Sequence, residues 1–307
     1  MDNAMSVETE RPISAKIRIA MILCYIFSLP LRRIVLKGVA GLASQVLFKH
    51  KLIAMHNLSR SFPDKSTKEL QQILKKSCAG FATLFAEFPE ILNINKDNLH
   101  HWVSVNGMEH YEKACREGKG VLLITGHFGN WEIGSAALAV LFRPPIFMAR
   151  VLDNPFLEEG TAFVRSRLGI GLLHKENAMR PMLKLLKKGE AIELLIDQNV
   201  DVGEGVFVDF LGRPACTTAG VALVAMRTGA AVLPIFTTRM PSGKYVTEIG
   251  PKMETVMTGH REQDILTNTQ NYAGVMEAHI RKYPEQWFWL HQRWKTKLCQ
   301  VRKRGNS

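Results

Sequence analysis

Cysteine is scarce in this chain. The five present among 307 residues (Cys24, Cys78, Cys115, Cys216 and Cys299) are odd in number, scattered and without a C-x-x-C pair. That excludes a disulfide framework and a thiolate metal site, and it fits a reducing compartment. Cys216 sits in an unusual loop but reads as a small apolar filler. Acidic residues are also in deficit, 28 against 40 lysines and arginines, for a formal net charge of +12. Such an excess calls for an anionic partner: nucleic acid, phospholipid headgroups, phosphorylated sugars or an acidic protein. No basic helix interleaved with stacking aromatics is found, nor a zinc-finger, RRM or KH signature, so nucleic acid is set aside. The G-x-S-x-G elbow of a serine hydrolase is absent, and the glycines at 203–205 lack the Gly-Lys-Ser/Thr of a phosphate loop.

No apolar run is long enough to span a bilayer as one helix. Ile19 to Leu31 is free of charge between Arg18 and Arg32-Arg33, but its thirteen residues rise only about 20 Å against a hydrocarbon core of roughly 30 Å. Pro30 kinks or ends it. Basic residues after the apolar run argue against a cleaved signal peptide. Ile34 to Phe48 continues apolar, with Lys37, Lys49 and Lys51. Together the two stretches predict an amphipathic or re-entrant anchor on an anionic leaflet, where each lysine or arginine contributes on the order of 1 kcal/mol. A buried helical hairpin and a single span are the alternatives. Residues 1–52 are therefore assigned to an N-terminal anchoring segment and 53–307 to one domain.

Hydrophobic content of 46% and charged content of 22% are those of a globular protein. Ser66-x-x-Glu69 is a capping box opening a helix with the stripe Leu70, Ile73, Leu74, Cys78, Phe81, Leu84, Phe85 and Phe88. Beyond Val103 short apolar runs alternate with helical segments. Strands are expected at 121–125, 146–149, 171–174, 192–196, 206–210, 232–236 and 245–249. Helices are expected at 109–117, 131–141, 157–168, 177–188, 217–228 and 262–282. The alternation predicts an α/β fold with a mostly parallel or mixed sheet flanked by helices.

The chemistry concentrates at Val121–Gly134. A buried strand ends at Thr125, Gly126 and Gly129 allow a sharp turn, and Asn130 is a plausible N-cap for the helix from Trp131. His127 lies on the turn and Glu132 in the first helical turn. The two meet only if the carboxylate reaches back, which would give the oriented imidazole a hydroxyl-activating base requires. The same spacing also arises from a helix-dipole carboxylate beside an unrelated loop histidine. Ligands of an open α/β sheet bind outside the carboxyl ends of its strands. His127, Arg150 and Asp197-Gln198 each follow an expected strand, so parallel strands bring all three to one edge. Arg150 offers an anion clamp, Asp197 an orienting or sugar-binding carboxylate, and Gln198 a hydrogen-bonding amide. The segment 203–218 suggests a hairpin or flap, with Arg213 exposed near Thr217 and Thr218 at a helix start. The segment 284–295 is rich in tryptophan, and His291 is a second candidate histidine.

The motifs T-G-H-F-G-N-W-E (125–132), I-F-M-A-R (146–150), L-L-I-D-Q-N (194–199), D-F-L-G-R-P-A (209–215), V-L-P-I-F (232–236) and Q-W-F-W-L-H-Q-R-W-K (286–295) occur in this order. In this set the chain resembles the late (lauroyl or myristoyl) acyltransferases of bacterial lipid A biosynthesis, within the glycerophosphate-acyltransferase-like superfamily. The resemblance implies an enzyme on the cytoplasmic side of the inner membrane. It would transfer a fatty acyl group from acyl carrier protein to a hydroxyl of a phosphorylated glucosamine disaccharide, a lipid A precursor that often carries Kdo sugars. It implies His127 as base and Glu132 as its partner, with Arg150, Asp197 and Gln198 shaping the acceptor or donor site; Asn130 and Arg213 are candidate substrate-binding residues beside them, and no metal or cofactor is expected. Alternatives are an acyltransferase for another lipid acceptor, such as a mannosylated phosphatidylinositol or ornithine lipid, a lipid esterase or thioesterase, and a non-catalytic membrane-binding protein.

Overall fold

The computed structural model describes residues 13–298 apart from Leu47 and Asn177. Cys299 and the basic residues at 302–304 lie outside the described residues, as does the expected helix start at 177. In chain order the elements are α1 (Ala15–Ile26), α2 (Leu29–Val46), α3 (Phe48–Ser61), α4 (Thr67–Glu87), α5 (Leu99–Trp102), β1 (Val103–Asn106), α6 (Met108–Arg116), β2 (Val121–Thr125), α7 (Trp131–Leu141) and β3 (Ile146–Ala149). They continue with α8 (Pro155–Ser166), β4 (Gly171–His174), α9 (Met179–Lys187), β5 (Ala191–Leu195), β6 (Gly205–Phe210), β7 (Arg213–Thr218), α10 (Gly220–Thr228), β8 (Ala231–Arg239), β9 (Tyr245–Ile249) and α11 (Arg261–Lys282).

Seven strands form one sheet in the order β1-β9-β8-β2-β5-β3-β4. Every pairing is parallel except β8 with β9. The central strand β2 is wholly buried (Val121, Leu122, Leu123 and Ile124), as expected for a strand covered by helices on both faces. Its partner β5 runs in register Thr125↔Leu195. Two residues past each of these, His127 and Asp197 therefore leave neighbouring strands level with one another. β6 and β7 form a separate antiparallel hairpin, as the glycines and aromatics of 203–218 suggest. The expected helix start at Thr217 is corrected: both threonines end β7, and α10 begins at Gly220. β1 is a strand the apolar pattern missed.

The capping box forms as expected. Ser66 Oγ accepts from the Glu69 backbone N–H and the Glu69 carboxylate accepts from the Ser66 N–H. The stripe of α4 is buried at Leu70, Leu74 and Leu84, but Phe85 is 64% exposed and does not belong to the core. The helix ends at Glu87, where Pro89 enters a 3₁₀ turn over Phe88–Asn93.

Pro30 stands in the first turn of α2, where its missing N–H is not needed, and α1 and α2 meet at 105°. No single helix among the described residues is long and apolar enough to cross a membrane; this bent pair passes by length and composition alone. Ile19, Ile22, Ile26, Ile34, Val39 and Leu42 are all more than half exposed. The pair is nonetheless tied to the rest of the fold. Ser14 Oγ donates to Glu159 of α8, and Arg32 donates to the carbonyl of Ala86 at 3.1 Å and pairs with Glu90. Arg33 pairs with Glu87, a fully buried carboxylate that also accepts from the Tyr245 hydroxyl and from Asn130 Nδ2 at 3.3 Å. Removing one partner of a buried ion pair strands the rest, at a cost of about 3–5 kcal/mol. Glu87→Ala is expected to lower unfolding free energy by that amount, read from denaturant melts.

Candidate active site

Two glycines shape the turn that carries His127. A Cβ on Gly126 would lie 2.9 Å from Cγ of Asp197, and one on Gly129, at φ +56°, would lie 1.8 Å from the carbonyl oxygen of Thr237. Only glycine lets the turn approach both neighbours. The C-terminal segment closes it from outside. The Gly129 N–H donates to the Gln286 carbonyl (2.9 Å), and the Phe288 N–H donates to the His127 carbonyl (3.0 Å).

The carboxylate on His127 is Asp197. His127 Nδ1 lies 2.9 Å from Asp197 Oδ1, while the His127 backbone N–H and the Trp287 indole N–H each donate to Oδ2 at 2.8 Å. Burial alone would raise the pKa of Asp197. The His127 ring and these three donors outweigh it and bring the carboxyl down to about 2. Asp197 is thus an acceptor only, so Nδ1 carries the proton and Nε2 is left basic. Gln198 Nε2 lies 3.2 Å from that nitrogen. The Trp131 and His127 rings pack edge to face with centroids 5.2 Å apart, and Phe288 flanks the imidazole at 6.3 Å. His127 stays a quarter exposed while Asp197 is enclosed.

The expected His127–Glu132 pair does not form. Both ring nitrogens are engaged elsewhere, and the first turn of α7 directs Glu132 towards α8. There its oxygens accept from Arg165 Nε (3.0 Å) and Nη2 (2.6 Å), and Oε1 also accepts from Trp131 Nε1 (2.9 Å). The Arg165 guanidinium stacks 4.2 Å over Phe147. Glu132 thus reaches His127 only through the Trp131 side chain. Asn130 does cap α7, accepting from Ile133 N–H at 3.2 Å, but it is completely enclosed and contacts Glu87 rather than open space. Arg150 follows β3 at the same edge, yet it is largely exposed and pairs with Asp153. Arg213 belongs to β7. Its guanidinium lies 3.5 Å over Trp294 and donates to the Asn57 carbonyl, and burial lowers its pKa to about 10.

Sequence reading overlooked three residues: Arg165, Trp287 as a donor to Asp197, and Arg293. Arg293 is 1% exposed and ties the carbonyls of Gln198 and Cys216 and the Thr217 hydroxyl together, fixing the loop after β5. The Q-W-F-W-L-H-Q-R-W-K run was the available signal. His291 is held near 4 by burial, with its Nδ1 unpartnered. Among the described residues no three His, Cys, Asp or Glu side chains converge as a metal site.

Behind the Glu132–Arg165 pair lies Glu193. Ser135 Oγ is 3.0 Å from the Trp131 carbonyl and 2.6 Å from Glu193 Oε2. A serine has one hydrogen, and here it is shared between two acceptors, so it offers the Glu193 carboxylate little to offset its burial. Burial accordingly pushes its pKa to about 8, against the Ser135 contact and with the help of Glu132. Because the folded protein holds a proton that the unfolded chain releases, stability falls as pH rises from 4.5 to about 8, by up to about 1.4 kcal/mol per unit. Asp197 adds nothing to that slope: its lowered pKa makes its contribution complete above about pH 4, fading only as pH falls towards 2. Glu193→Gln is expected to flatten the profile, measured by denaturant melts at the two ends of the range.

The sequence profile described as bacterial lipid A biosynthesis acyltransferase matches residues 12–296. The lipid A biosynthesis lauroyltransferase of Escherichia coli (strain K12) is 28% identical over 263 residues, 85% of this chain and 84% of that protein. A lipid A biosynthesis acyltransferase of Haemophilus influenzae is 28% identical over 262 residues, 84% of this chain and 78% of that protein. The phosphatidylinositol mannoside acyltransferase of Mycolicibacterium smegmatis is 25% identical over 251 residues, 80% of each.

Proposed function

The chain belongs to the bacterial lipid A biosynthesis acyltransferases, and on that premise we propose that it moves a fatty acyl group from acyl carrier protein to a hydroxyl of a phosphorylated lipid A precursor, with His127 as general base. The observation that carries this reading is the imidazole gripped at Nδ1 by Asp197, whose pKa is held down to about 2, with Nε2 turned to a partner that can leave.

The acceptor hydroxyl takes the place of the Gln198 amide at Nε2. As its oxygen attacks the thioester carbonyl, the proton passes to Nε2 and Asp197 stabilises the imidazolium. Collapse of the tetrahedral adduct breaks the carbon–sulfur bond, and the departing thiolate recovers the proton. The released Gln198 amide is placed to donate to the adduct's oxyanion. Proton transfer of this kind is worth about 10²–10⁴ in rate; positioning and charge stabilisation supply the rest. Glu132 acts as a positioning residue: pinned by Arg165, it holds the Trp131 ring against His127.

His127→Ala and Asp197→Asn are expected to lower transfer about 10²–10⁴-fold in an assay with acyl carrier protein as donor. Full turnover by His127→Ala would defeat the mechanism. Mass spectrometry of lipid A from cells with and without the protein tests the acceptor, and an unchanged lipid A would defeat that assignment. The exposed apolar face of α1 and α2 supports attachment to the cytoplasmic leaflet of the inner membrane. Substituting Ile22 and Ile26 with aspartate is expected to move the protein from the membrane fraction to the supernatant.

A further inference from the structure

A groove beside the site is not used by the chemistry above. It runs between α2, α3 and α4 on one side and Asn199, Phe288 and His291 on the other, with a volume of about 1630 Å³. Small-molecule sites typically hold roughly 300–1,000 Å³, so this one suits a larger guest. Its lining is mostly apolar, with Val39 and Leu42 from α2 and Phe81 and Phe85 from α4. Lys37, Lys51, Lys75 and Lys295 line it too, and none of the four has an ion-pair partner among the described residues. A fifth lysine, Lys175, is already neutralised by Glu204 at 2.8 Å. Asp201 is the one remaining acid among the described lining residues. The groove therefore keeps a net positive charge over an apolar floor.

Its inner end stops one side chain short of the base. Phe288 separates the groove from the imidazole, and His291 lies there with its Nδ1 buried and unpartnered. Its outer end is continuous with the exposed face of α2, because Val39 and Leu42 belong to both.

We propose that this groove holds the acceptor: a phosphorylated, multiply acylated lipid. Its phosphate lies among Lys37, Lys51, Lys75 and Lys295, its chains lie along α2 and α4, and its reactive hydroxyl meets His127 past Phe288. The assignment rests on the acyl-transfer reading above. A carrier protein brings one chain and docks by its own surface. Only an amphiphile places charge and several chains in the same volume, and one entering from the α2 face does so without crossing water.

The test uses the full chain in detergent micelles, with Lys51→Gln/Lys75→Gln as the variant and Lys76→Gln, one residue along α4 and outside the groove, as the control. The probes are a bisphosphorylated tetra-acyl glucosamine disaccharide and its dephosphorylated form. The double variant is expected to raise KM for the bisphosphorylated acceptor about tenfold, roughly the loss of one net charge-assisted contact. Its kcat should stay within about twofold, the KM for acyl carrier protein unchanged, and the difference absent with the dephosphorylated probe. An unmoved KM, a shift in the donor KM instead, or an equal shift with both probes overturns the proposal. So does an equal loss of binding to phosphatidylglycerol vesicles without acceptor, which would assign these lysines to the leaflet. A wild-type protein that acylates neither probe refutes the acyl-transfer reading instead. Binding followed by tryptophan fluorescence then decides the groove alone: affinity for the bisphosphorylated probe that ignores Lys51 and Lys75 overturns it.

Discussion

The Asp197 carboxylate is the point on which the rest of the site turns. A charge taken out of water is costly unless its lone pairs are filled, and here they are filled by the two amino acids that matter most nearby. His127 gives a backbone N–H and a ring N–H, and Trp287 gives its indole. The arrangement fixes the imidazole's tautomer and orientation at once. It also requires three distant parts of the chain, the turns after β2 and β5 and the segment at 286–288, to arrive together.

The parallel sheet makes that meeting possible. Register between β2 and β5 carries His127 and Asp197 off the sheet side by side, and the close approach is open because Gly126 has no side chain. Arg293 secures the second turn by its carbonyl at Gln198. On the other side of α7, Glu132, Arg165, Glu193 and Ser135 form a separate buried group. The helix thus lies between the ionised Asp197 at the candidate site and a proton-holding carboxyl within.

Much of the fold could be read from the chain because buried parallel strands are written as plain apolar runs, such as Val121–Thr125 and Ile146–Ala149. Val103–Asn106 was missed because an edge strand of four residues alternates with polar ones, and the end of the hairpin at Thr217 and Thr218 was given to the next helix because threonines there resemble a helix entry. The site was legible in its location and misread in its pairing. H-x4-E suggests a local contact between His127 and Glu132. Spacing along one helix says nothing of Arg165, which lies 33 residues further on and claims that carboxylate. Asp197 was placed at the correct edge by counting parallel strands, yet its 70-residue separation from His127 leaves no local pattern. Asn130 and Arg213 illustrate the converse: polar residues inside strong motifs whose work is to hold backbone and rings in place.

The hold of Trp287 on Asp197 has a consequence for synthesis. A growing chain has made its histidine turn and its aspartate turn long before the indole that steadies them exists. Until the segment at 286–288 leaves the ribosome, the aspartate lacks one of its donors and the turn at Gly129 lacks its outer clasp. The carboxylate's set of donors is therefore complete only after every strand of the sheet has been synthesised.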